Sequence, residues 1–161
     1  MKFLTAVALA AVMLWVPVDG VAQAQRNPLT GLTTMGQQVS IQWHDRITRV
    51  SEKSFTREAE RAFELGLLRI GITLEGDFSD EGNYLACYGQ VFSHPEDNGL
   101  RVAYSSEVRY REIVTVGGGS QFATTWNTTA LGIARVDKLS GTELGEQCAE
   151  MFEIAWRRAN N

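Results

Sequence analysis

His44 and His94 are the only two imidazoles in this 161-residue chain. Asp45 follows the first, and the second opens the run His94-Pro95-Glu96-Asp97-Asn98-Gly99. An imidazole beside carboxylates is the raw material of a general acid–base pair or a hydrolytic metal site, and either needs several such groups to converge. Neighbouring residues on a strand point to opposite faces, however, and polar residues crowd any solvated turn. His44 and His94 therefore support only an alternative reading, a small hydrolase or metal-binding protein. Asp77, Asp80 and Glu81 run up to Gly82 without the regular D-x-D-x-D-G spacing of a calcium loop, and read as an acidic turn. No G-x-S-x-G elbow is present for a serine nucleophile. Gly117-Gly118-Gly119-Ser120 lacks the lysine and the following helix that a phosphate cradle uses, so it reads as a turn. Asn127-Thr128-Thr129 matches a glycosylation acceptor pattern but falls within an expected strand. On these residues we expect no catalytic group, no metal ligand and no cofactor.

Cys87 and Cys148 are the only cysteines. The chain opens with Met1-Lys2, an apolar run from Phe3 to Val18, and Ala22-Gln23-Ala24, the layout of a secretory signal peptide cleaved after Ala24. The apolar run is short of the roughly 20 residues a membrane-spanning helix needs. Export leads to a compartment where disulfides persist, so the two cysteines are expected to bridge. The formal net charge is −4, with basic residues scattered among acidic ones. That distribution argues against nucleic acid and anionic membrane as partners.

The elements that must position these residues follow from periodicity. Residues 25–37 read as a flexible lead-in, and 38–161 as a single domain. Val39, Ile41 and Trp43 alternate in a first strand. From Ser51 the period changes, because Phe55, Ala59, Ala62, Phe63, Leu67 and Ile70 fall on one helical stripe that Gly71 stops. Gly66 inside this helix should weaken it unless the missing side chain lets something pack closely. A short strand at Ile72 to Leu74 comes next. Asn83 to Val116 then reads as a long β-hairpin, with Leu85, Cys87, Gly89 and Val91 on the inner face of its first arm. Phe122 to Ala134 is a further strand, with a break expected at Gly132. A last helix begins near Ser140 or Thr142, with Leu144, Cys148, Met151, Phe152, Ala155 and Ala159 on its buried stripe.

The fold class that results is α+β, in two layers: a mostly antiparallel sheet with both helices on one face, in the order β-α-β-β-β-β-α. Helices covering one face leave the other bare, where Tyr84, Tyr88 and Phe92 form an aromatic row on the first arm of the hairpin. That row is the expected contact surface, unless the lead-in segment covers it or the rings stack across strands.

Five stretches, RIGITL (69–74), NYLACYGQV (83–91), AYSSEVRYRE (103–112), TTWNTTALG (124–132) and the C-terminal helix, give the chain its one family likeness. It resembles a group of short exported bacterial α+β proteins of unassigned function. The resemblance implies this fold and a periplasmic or secreted location, and it supplies no functional residues. The reading that follows is a non-enzymatic exported module acting through protein or envelope contacts, its partner another envelope protein or a second copy of itself, with no membrane span once the signal is removed.

Overall fold

A computed structural model describes residues 27–44, 50–77, 82–93 and 100–161. The expected signal peptide, the loop His94 to Gly99 and most of the acidic turn lie outside the described residues. Its elements are β1 (Thr34–Trp43), α1 (Glu52–Arg69), β2 (Thr73–Asp77), β3 (Tyr84–Ser93), β4 (Arg101–Val116), β5 (Gly119–Arg135) and α2 (Gly141–Asn160), with a single 3-10 turn at Val136–Lys138 before α2. The β-α-β-β-β-β-α order is the expected one.

The five strands form one sheet in the order β2-β1-β3-β4-β5. β1 runs parallel to both of its neighbours, whereas β3, β4 and β5 form an antiparallel meander that supplies most of the pairing. The β4–β5 turn is made by Gly117 and Gly118, both at positive φ, 60° and 85°. Positive φ at both central residues is what a two-residue hairpin turn requires, and only glycine meets it without strain.

Each helix starts where a serine can satisfy an orphan amide. Ser51 accepts a hydrogen bond from the Ser54 amide, and Ser140 accepts one from that of Glu143. The two helices pack on one face of the sheet through Phe55, Phe63, Leu67, Leu144 and Phe152, all buried. They also pack on each other unusually closely. Gly141, Gly145 and Ala149, one turn apart on α2, face Phe55, Ala59 and Gly66 of α1, and a Cβ at Gly145 or Gly66 would collide with the Ala59 carbonyl oxygen or the Ala149 methyl. Gly66 is thus a contact point rather than a weakness. Gly89 plays the same part on the sheet, where a Cβ would stand 2.7 Å from Ile41 Cδ1 and 3.1 Å from Leu144 Cδ1. At that depth Cys87 and Cys148 come to disulfide distance, S–S 2.06 Å with Cα atoms 6.0 Å apart.

Two expectations need correction. β1 begins at Thr34, four residues early, and the segment before it is fastened rather than loose. Leu29 is buried in the core, Trp156 Nε1 donates to the Leu32 carbonyl at 2.8 Å, and Asn160 Nδ2 donates to the Leu29 carbonyl at 3.0 Å. The segment reads as loose in sequence because the partners that fix it lie about 130 residues away. The second correction is at Gly132, where β5 runs on unbroken. Gly132 stands directly opposite Tyr104 on β4, whose ring occupies the place a Cβ would take. The cross-strand ring covers the gap that glycine leaves.

Candidate functional site

Strand register assigns the residues of the face turned away from the helices. One row runs Ser40, Tyr88, Glu107, Thr129; the next Gln42, Gln90, Ser105, Leu131; and beyond it Phe92, Ala103 and Ile133. The aromatic row expected as a contact surface meets three different environments along β3.

Tyr84 is only 2% exposed, so it is withdrawn from any contact surface. Its ring meets Phe122 of β5 edge-on with centroids 5.3 Å apart, and the Arg111 guanidinium lies over both rings while donating to the Tyr84 hydroxyl. Burial raises the Tyr84 phenol above its ordinary range, and the Arg111 charge opposes this. The neighbouring arms of β4 and β5 thus bury Tyr84 by cross-strand stacking.

Tyr88 is half-buried beneath Arg109, whose guanidinium carbon lies 4.8 Å from the ring centroid. Arg109 Nη2 donates to Glu107 Oε2 at 2.7 Å, and Asn127 Nδ2 donates to Glu107 Oε1 at 3.2 Å. The Arg109 hydrogen bond holds the Glu107 carboxyl below its usual range. This chain of contacts ties β3, β4 and β5 together across the middle of the face.

Phe92 is 37% exposed, and the His44 ring stacks on it at 4.1 Å with 3° between the planes. His44 is itself exposed, and Asp45 beside it lies outside the described residues. His94 lies outside the described residues. Among the described residues no three His, Cys, Asp or Glu side chains are grouped to hold a metal ion.

The most exposed apolar side chains of the face come from β5, which sequence periodicity placed as a strand without assigning its faces. Leu131 is 82% exposed and Ile133 is 70% exposed, beside Phe92 and Ala103 at one corner of the sheet. The signal was there: Asn127, Thr129, Leu131 and Ile133 share one phase of the alternation, opposite Trp126, Thr128, Ala130 and Gly132.

Elsewhere, a groove of about 540 Å³ follows the outer side of the α1–α2 seam, with Glu58, Arg61, Leu65, Arg69 and Glu146 on its walls. Its charges are of both signs and it holds no imidazole or thiol. A smaller recess of about 330 Å³ between α2 and β4 is lined by Tyr104, Glu143, Glu146, Gln147 and Glu150. There the Ser106 hydroxyl, buried in the sheet, donates to Gln147 Oε1 at 2.8 Å, joining sheet to helix. No helix among the described residues is long and apolar enough to cross a membrane.

No protein-family model matches the chain, and no curated protein does. Among solved structures it is similar to a PelC dodecamer from Paraburkholderia phytofirmans, at 13% identity and a TM-score of 0.40, over 78% of this chain and 87% of that one. It is also similar to a minor lipoprotein from Acinetobacter baumannii, at 13% identity and a TM-score of 0.36, over 75% and 92% of the two chains. The rare lipoprotein B from Shewanella oneidensis is likewise 13% identical, with a TM-score of 0.25 over 76% and 87%.

Proposed function

We propose that this chain is an exported, non-enzymatic α+β module that acts by binding protein in the cell envelope, and that it does so through the corner of the sheet where β3, β4 and β5 meet. One observation carries the reading: Leu131 and Ile133 stand 82% and 70% exposed on the face opposite the helices, beside the exposed ring of Phe92. Two large aliphatic side chains on one bare sheet face are the kind of apolar patch that marks a binding site. The middle of the same face, by contrast, is satisfied internally by the Tyr88–Arg109–Glu107–Asn127 contacts. The pair of cysteines at disulfide distance suits an oxidising compartment.

The test is a photo-reactive phenylalanine analogue in place of Ile133, with the same group in place of Glu60 on the exposed side of α1 as control. Illumination of intact cells is expected to give a discrete adduct of higher mass from position 133 and none from position 60. The absence of any adduct from position 133 would overturn the reading.

A further inference from the structure

A sheet ends in two strands whose outer N–H and C=O groups have no partner, and natural proteins protect such edges with charge, proline, shortness or bulges. Here the edges are β2, five residues long, and β5, seventeen residues long. β2 is protected by its shortness. β5 is not, and no charged residue or proline occurs anywhere from Ile113 to Ala134. The one irregularity is a shift in register opposite the step from Tyr110 to Arg111, where β5 gains Thr125. That bulge divides the strand into two regularly paired parts, Gly119 to Thr124 and Trp126 to Arg135. Leu131 and Ile133 lie on the second part. A lipid surface could cover their side chains but would leave the backbone edge unpaired, whereas another strand covers both.

Resting on the contact reading above, we propose that the partner is a second copy of this chain, paired antiparallel along the second part of β5 about a two-fold axis at Leu131. In that register Leu131 faces Leu131 of the second copy, Ile133 faces its Thr129, and Arg135 faces its Asn127. The Leu131 and Ile133 side chains of both copies then form one apolar cluster, because diagonal neighbours across a strand pair are within reach of long side chains. Charge fits as well. Arg135 is ion-paired with Asp137 of its own chain, and that pair is exposed. Across the axis Arg135 faces the uncharged Asn127 of the other copy. No like charges oppose each other along the pairing, although the chain carries a net charge of −4. A paired edge of about nine residues spans roughly 30 Å. An interface of that size belongs with weak, concentration-dependent associations rather than permanent ones.

Sedimentation of the purified protein from micromolar to millimolar concentration is expected to show a monomer–dimer equilibrium. Leu131→Lys and Leu131→Glu should each weaken the dimer by about tenfold or more, because like charges then face each other on the axis. Neither should lower the melting temperature, since this side chain is largely in water. Mixing the two variants should restore association, because lysine then faces glutamate, a result that only a two-fold axis at this position predicts. A protein monomeric throughout the range, or a dimer indifferent to both variants, overturns the inference. If the purified protein is monomeric while position 133 gives an adduct with another protein in cells, the second-copy inference fails and the contact reading stands. No dimer together with no adduct removes both.

Discussion

Tyr84 and Tyr88 lie four residues apart on one side of β3, yet the first is enclosed by Phe122 and Arg111 while the second is only capped by Arg109. Replacing Tyr84 by serine should cost about 3 kcal/mol or more in a denaturation experiment, since a buried aromatic ring is lost and a cavity is left. Tyr88→Ser should cost only about 1 kcal/mol, the loss of one partly exposed cation–π contact and some buried area. Alternation along β3 was enough to put both rings on the outer face. Their different fates depend on which residues of β5 come opposite, and the spacing within β3 holds no trace of that. Tyr110, on the inner face, is buried, and burial pushes its phenol up to about 12 from an ordinary 10. Below pH 10 the folded and unfolded chains are both protonated at this group; between 10 and about 12 the unfolded chain gives up the proton and the folded one retains it. Stability should therefore fall as pH rises through that window, by at most about 1.4 kcal/mol per pH unit from this group. Urea denaturation on either side of pH 10 should show the loss, and Tyr110→Phe should reduce it.

Helices α1 and α2 show how a single methyl group can reverse an expected effect. In an exposed helix interior Gly→Ala is stabilising by up to about 1 kcal/mol. At Gly145 the added methyl would run into the Ala59 carbonyl and stand 2.9 Å from the Ala62 Cβ, so the helices would have to part. Gly145→Ala should accordingly destabilise by about 2 kcal/mol, measured by thermal or chemical unfolding. Both helices and all five strands were legible from hydrophobic period, since Phe55, Ala59, Ala62 and Phe63 or Val39, Ile41 and Trp43 leave little choice of element. The seam between the helices was legible in principle too, as Gly141, Gly145 and Ala149 at four-residue spacing, but only when that row is read as a packing surface. The start of β1 was not. Thr34-Met35-Gly36-Gln37 has one buried apolar residue, Met35, and its place in the sheet is set by pairing with β2 and β3.

For the molecule as a whole, Cys87 on the central strand β3 and Cys148 on the last helix stand at disulfide distance across 61 residues of sequence. Closing a loop of that length stabilises a fold by about 4 kcal/mol on the chain-entropy model. Cys148→Ala should lose an amount of that order in denaturation, and the intact protein should weigh two hydrogens less than its reduced form by mass spectrometry. That the two cysteines come within disulfide distance was legible because both face inward on elements that must pack together. The exposed corner at Leu131 and Ile133 was not, since it depends on β5 being the edge of the sheet, a matter of strand order that local patterning leaves open. The strap from Leu29 to Leu32 has a different consequence. Thr30 Oγ1 donates to the Ala159 carbonyl at 3.3 Å, so the chain enters and leaves the described fold at the same corner. Sequence order around this domain is then nearly a closed ring, and the point at which it is cut is open to choice. A circular permutant that joins Asn161 to Asn27 by a short linker and opens new ends between Gly117 and Gly118 should fold to the same sheet, with its circular dichroism spectrum retained.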